Sequence, residues 1–509
     1  MRPLPLSIVS ALALVGSAST ASAANTLQVG PGKTYAMPCD AIAAAQTGDT
    51  IEVDAAGTYT GNTCAWSTDG LTVTGVNGRA KIDITGVTPA QEKGIFTIGG
   101  TASATIENFE LSGAAISAGD GNNGAGIRHQ GLNLTVRNCY IHDNQDGILA
   151  APGTANTGTI LVESSEFSHN GAGDGFSHNM YIGDFAQFTL QFSYSHDGNV
   201  GHLFKSRAYV TNVFYNRITD ETGGTASYEI DIPNGGTAYV IGNVVEQSAT
   251  TQNPTILTFG EEGSPAGYDT HLYVVNNTFI NDLGSGTFVA DTTPTPAVIE
   301  NNIFYKAGTI SGQAGATLTT NFDGTAGADP GFTNVASYDV TLLGTSACID
   351  KGSAPGNAGS QSLSPVFEYV HPLSEVARTV IGSAIDIGAY EYGVADDAGV
   401  IGPDAAPPDA SGSGSGGSSG GGSGSGSGSS SGASSGSSSG SSSGTASSSG
   451  DASSSSGAGA GDGGNGASPA SSGGCGCVLT STSDSRVAGL GGLAALLFGG
   501  LARRRKRRA

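Results

Sequence analysis

Asn138-Cys139-Tyr140-Ile141-His142, Ser165-Glu166-Phe167-Ser168-His169 and Phe192-Ser193-Tyr194-Ser195-His196 repeat one short pattern: usually a polar residue, a gap, an aromatic, then a polar residue two further on. It returns as Asn212-Val213-Phe214-Tyr215-Asn216, Asn277-Thr278-Phe279-Ile280-Asn281 and Asn302-Ile303-Phe304-Tyr305-Lys306, and in degenerate form as Asn243-Val244-Val245-Glu246-Gln247. The landmarks at 140, 167, 194, 214, 245, 279 and 304 lie 20 to 34 residues apart, the mark of a solenoid whose rungs differ in loop length. Each interval holds short β-rich runs broken by Gly, Asn and Asp, with no helical period. These features predict an all-β, right-handed parallel β-helix in which each rung stacks its apolar residues on the one below.

Outward from the repeats, Cys39 to Ala45 is Ala-rich and suits a capping helix, followed by a strand from Gly48-Asp49-Thr50-Ile51. Cys39 and Cys64 are the expected disulfide, both near the start of the fold, and Cys139 is expected to be buried and free. Residues 1–23 read as a secretory signal, with Arg2, an apolar run and Ala21-Ser22-Ala23. The β-helix is expected over 24–394 and a flexible Ser/Gly tether over 395–474. A tail over 475–509 contains Cys475 and Cys477, the apolar run Val487 to Ala502, and the cluster Arg503 to Arg508. That apolar run makes a helix of about 24 Å, short for a hydrocarbon core of about 30 Å. The tail resembles the C-terminal sorting tails of myxobacterial surface proteins, which implies export, anchoring at the outer cell surface, and membrane contact through the tail alone.

Without the signal and the residues from Arg486 onward, 12 basic residues face 43 acidic ones, a charge near −31. Such a surface repels nucleic acid and favours a neutral partner, or an anionic one met through a cation. The chain is expected to act as a monomer.

The start (Pro31-Gly32-Lys33-Thr34-Tyr35, then Gly48-Asp49-Thr50-Ile51), the Asn-x-aromatic rungs and the close (Asp386-Ile387-Gly388-Ala389-Tyr390-Glu391-Tyr392) resemble the pectate-lyase-like superfamily of right-handed β-helices. The fold hosts lyases, hydrolases, epimerases and adhesins, so it does not name an activity.

Three rungs carry an unusual polar set: His178-Asn179-Met180-Tyr181-Ile182, His202-Leu203-Phe204-Lys205-Ser206-Arg207 and Tyr228-Glu229-Ile230-Asp231-Ile232. Strand alternation turns Asn179, Tyr181, Lys205, Arg207, Glu229 and Asp231 outward. A spacing of 24 residues sets Lys205 beside Glu229 and Arg207 beside Asp231 on rungs about 4.8 Å apart. The resemblance implies cleavage of an extracellular uronic-acid polysaccharide by β-elimination. Lys205 would be the base, Arg207 would neutralise the uronate, and Tyr181 would supply a proton. Glu229 and Asp231 would hold Ca²⁺, while His178, Asn179, His202 and Tyr228 would contact sugar. The same spacing also describes a cross-rung salt-bridge ladder on a non-enzymatic surface or adhesion protein. A hydrolase or epimerase on this fold is the further alternative. His142, His169 and His196 recur at 27 residues and are expected to share a polar column continuing through Asn216, Gln247 and Asn281.

Overall fold

The computed structural model describes residues 24–394, all within one compact unit. The expected signal (1–23), tether (395–474) and sorting tail (475–509, with Cys475 and Cys477) lie outside the described residues. Among the described residues no helix is long and apolar enough to cross a membrane.

One rung shows how the chain coils. Strand Leu134–Arg137 leads through Asn138 and Cys139 into strand Tyr140–His142, and a short turn leads into strand Asp146–Ala150. Each strand pairs in parallel with its counterparts on the rungs above and below. Repetition yields three parallel sheets of 12, 10 and 10 strands, called here the first, second and third sheets. The sharp first-to-second corner needs a left-handed residue, and Asn108 (φ 58°), Asn138 (φ 46°), Asn276 (φ 52°) and Asn301 (φ 56°) supply it. Asparagine tolerates that conformation better than most side chains.

Inward positions form continuous apolar columns. Ile106, Val136, Val162, Leu190, Val213 and Val240 stack in register along the first sheet, all fully buried. Each such side chain contributes roughly 1.5–3 kcal/mol of burial. At the corner beside them the Asn of the repeat becomes a ladder. Asn216 Nδ2 donates to Asn243 Oδ1 (3.0 Å), Asn243 to Asn277 (2.9 Å), Asn277 to Asn302 (2.9 Å) and Asn302 to Asn321 (3.0 Å).

The N-terminal end is closed as a solenoid requires. Helix Pro38–Ala44 buries Ala41 and Ile42, and Cys39 is bonded to Cys64. Cys139 is free and buried, and burial pushes its thiol up to about 12. At the other end the Asp386–Glu391 segment lies against the first-to-second corner. Asn276 Nδ2 donates to the carbonyls of Asp386 and Gly388, and the Ala389 N–H donates to Thr278 Oγ1. A Cβ on Gly388, at φ 103°, would lie 2.6 Å from Ile303, so the motif requires glycine there.

Three sequence expectations need correction. Phe167, Val245, Phe279 and Phe304 are fully buried on the second sheet. Tyr140 and Tyr194, however, share the adjacent outward column with Glu166 and Arg217. Phe214 belongs to the first sheet, on strand Val210–Phe214. Nor do the histidines form one column: His142 is opposite Ser168. His169 is displaced into a left-handed turn (φ 53°), and the register carries His196 on to Thr219 and Glu246. For Tyr140, Tyr194 and His169 unequal turns shifted the register by a residue, which moves a side chain to the other face, whereas Phe214 ends the first-sheet strand and Ile218 takes the inward column of the second sheet.

Candidate functional site on the third sheet

Strands Met180–Ile182, Lys205–Ser206 and Ile230–Ile232 are consecutive in the third sheet. Met180, Ile182, Phe204, Ile230 and Ile232 are buried in the core, which turns Tyr181, Lys205 and Asp231 to the outer face. Tyr181 is opposite Lys205, and Lys205 is opposite Asp231. The sequence spacing of 24 is therefore corrected to 26 for the second step. Lys205 meets Asp231 rather than Glu229, and Arg207 does not meet Asp231.

Lys205 Nζ lies 2.7 Å from Asp231 Oδ2 and 3.8 Å from Glu262 Oε1, with its side chain 7% exposed. Burial raises the Asp231 carboxyl to about 6, and the Lys205 charge opposes that rise. Arg207 sits beside this pair. Its Nε donates to the Tyr181 hydroxyl (2.9 Å), NH1 to Asn234 Oδ1 (2.5 Å), and NH2 to Glu262 Oε1 (2.9 Å). Burial would lower the Arg207 pKa, but Glu262 and Tyr181 raise it above its ordinary value. Glu262 is lowered on balance: burial raises it, and the guanidinium more than offsets that.

An aromatic row runs alongside. The rings of Tyr181 and His178 lie 5.7 Å apart, those of His178 and His202 4.3 Å, and those of His202 and Tyr228 4.9 Å. His178 Nδ1 accepts the His202 backbone N–H at 2.9 Å, and His202 Nε2 is 3.4 Å from Asp231 Oδ2. Burial first, then the neighbouring cations, pushes both imidazoles well below their ordinary range, so they are neutral at pH 7. The Tyr228 hydroxyl donates to Glu261 Oε2, which leaves this ring half-buried at the rim rather than inward.

Two expected site residues are elsewhere. Asn179 is fully buried: its Nδ2 donates to Phe167 O, Ser195 Oγ and His196 O, and its Oδ1 accepts from Asn170. It ties one corner of the coil and faces no solvent. Glu229 precedes its strand, where alternation has lapsed, and it turns into the interior beside Asp220 and Glu246. Burial and those two charges hold its carboxyl far above the usual range. Calcium therefore does not fit the expected pair, since Glu229 faces inward and Asp231 is engaged by Lys205. Among the described residues no three His, Cys, Asp or Glu side chains are arranged to hold a metal ion. Sequence reading missed Asn234 and gave the Glu261-Glu262 pair no partner, because all three lie in turns that carry no alternation. The Glu261-Glu262 doublet was their one visible signal.

No family model and no curated protein matches the sequence. Among solved structures, pectate lyase Pel9A aligns with 73% of this chain and 97% of its own length, at a TM-score of 0.50 and 17% identity. The chain has the fold of a pectate lyase. At that identity the likeness concerns the pectate-lyase fold alone. A pectin methylesterase from Aspergillus niger aligns with 62% of this chain and 89% of its own, at a TM-score of 0.28 and 14% identity, too loosely to inform further.

Proposed function

We propose that the protein is a surface-tethered polysaccharide lyase that cleaves a uronic-acid glycan by β-elimination. The observation that carries this reading is the placement of Lys205 and Arg207 side by side with Tyr181 on an outer sheet face of a pectate-lyase fold. Arg207 accepts the substrate carboxylate in place of Glu262, neutralising the charge that develops as the neighbouring C–H bond breaks. Lys205 Nζ passes its proton to Asp231 Oδ2, 2.7 Å away, and the free amine takes the substrate proton. The electron pair left behind forms the C=C bond as the glycosidic C–O bond breaks. The departing oxygen takes the Tyr181 hydroxyl proton, which is free because that oxygen accepts from Arg207. Export and anchoring in this proposal come from the sequence reading of residues 1–23 and 475–509.

The ion pairs that engage both cations favour a second reading, a non-enzymatic surface or adhesion protein whose patch staples rungs together. Ultraviolet absorbance of unsaturated uronide on pectate, alginate and glycosaminoglycans separates the two. The lyase reading expects product from the native chain and its loss in Lys205→Ala and in Arg207→Ala with the fold intact. Absence of unsaturated product on every uronide, with only a fall in melting temperature in the variants, would overturn it.

A further inference from the structure

Where the second sheet turns into the third lies a second polar cluster, with Gln247 and Asn281 on the coil side of their strands and Glu246 on the outer side, beneath the C-terminal segment. Asp220, Glu229, Glu246, Gln247 and Asn281 are all fully buried. The register that sets Thr219 opposite Glu246 brings Asp220 beside Gln247, and Gln247 is opposite Asn281. Nearby rungs fill this corner with amides that donate to one another, as Asn144, Asn170 and Asn179 do. Here the donors are already spent. Gln247 Nε2 donates to Asn253 O, and Asn281 Nδ2 donates to Ser285 O and Ala307 O.

Acceptors remain in excess. Asp220 Oδ2 receives the Ala226 N–H and Glu246 Oε2 receives the Glu221 N–H. Asp220 Oδ1, Glu246 Oε1, Gln247 Oε1, Asn281 Oδ1 and both carboxyl oxygens of Glu229 meet no donor from another residue. Each neighbouring cation is engaged elsewhere: Arg217 by Glu221, Lys306 by Asp282, and His196 by Asp197 and Glu166. The other titratable group facing the cluster is Tyr338, from the C-terminal segment. An acceptor left bare in such a place costs roughly 1–3 kcal/mol, and more if charged.

We infer that Asp220, Glu229 and Glu246 carry protons in the folded protein and act as hydrogen-bond donors, so that this corner, and the strand bearing Asp231, holds together only while they stay protonated. Burial raises Asp220 to about 7 and Glu246 to about 8, with their acidic neighbours adding to the shift, and it raises Glu229 well beyond the carboxylate range. Folded values above the unfolded ones mean that the folded state holds more protons. The stabilisation is complete below the unfolded pKa, near 4, and is lost as pH rises through about 7 to 8. Glu229 is two residues from Asp231, so loosening would reach the Lys205 pair first. The inference stands whether or not Lys205 is a base.

The test is denaturation of the full-length chain across pH 5 to 9, with proton release followed by an indicator dye. The midpoint should fall as pH rises, and unfolding near pH 6 should release about three protons from this cluster. Glu229→Gln and Glu246→Gln keep a donor in place of the acid O–H, so each should fold, release about one proton fewer, and show a shallower fall of the midpoint with pH. Proton release unchanged by both substitutions would overturn the inference. So would Ca²⁺ restoring the midpoint at pH 8 in the native chain but not in Glu229→Gln, because a cation rather than protons would then neutralise the cluster.

Discussion

Replacing Lys205 with methionine keeps most of the side-chain volume and removes the charge that faces Asp231. Asp231 is fully buried, with Lys205 Nζ at 2.7 Å. Even with that cation present, burial lifts its carboxyl from 3.8 to about 6. At about 1.4 kcal/mol per pH unit, keeping it ionised at neutral pH already costs about 3 kcal/mol. Removing one member of a buried pair costs roughly 3–5 kcal/mol when the other must stay charged. The variant can avoid part of this loss by protonating Asp231. Because the folded carboxyl is raised, its proton-linked stability is present at acidic pH and disappears as pH rises through the folded value. The expected loss is therefore at the upper end of that range at pH 8 and clearly smaller at pH 5. Urea unfolding followed by circular dichroism at the two pH values measures it. Adding Asp231→Asn should abolish the difference between them. A loss below about 1 kcal/mol at pH 8, or the same loss at both pH values, would refute the reasoning and show a solvent-screened pair.

Two further outcomes are expected. Asn277→Ala removes donations to Val240 O, Val275 O and Asn302 Oδ1 and the acceptor that serves Asn243; urea unfolding should show a loss of about 3 kcal/mol or more. Cys39→Ser opens a loop between residues 25 apart, and calorimetry of the variant should show about 3 kcal/mol less stability than the native chain.

How far the residues themselves announced these features depended on whether a local rule applied. The β-helix was legible because Val, Ile and Phe recur on stacked strands, and every rung repeats the requirement. The disulfide was legible because two cysteines lie at the start of an exported-looking chain. Facing was legible within a strand: Met180 and Ile182 go in, Tyr181 goes out. Register between strands was less so, because the turns between rungs vary in length and carry no period. Lys205 therefore gained Asp231 in place of Glu229, and Tyr140 and Tyr194 moved off the column of Phe167. Residues just outside a strand were hardest to read. Glu229 and Asn179 each sit one position before a strand begins, where the chain is still turning and alternation gives no direction. Asn234 and Glu262 reach the site from turns whose path depends on the packed coil.

The C-terminal segment also decides how the coil would meet a mechanical pull. A force applied at residue 394 would reach Glu391 within three residues. Glu391 is tied to Arg378, to the N–H groups of Ile381 and Asp386, and through its own N–H to Glu368. From there tension passes through Asp386 and Gly388 to Asn276 and Asn301, on two different rungs. These bonds would be strained together rather than one after another. The terminal strand Phe322–Gly324 is spared from being peeled away first, so the coil should resist extension from this end better than a bare stack of rungs.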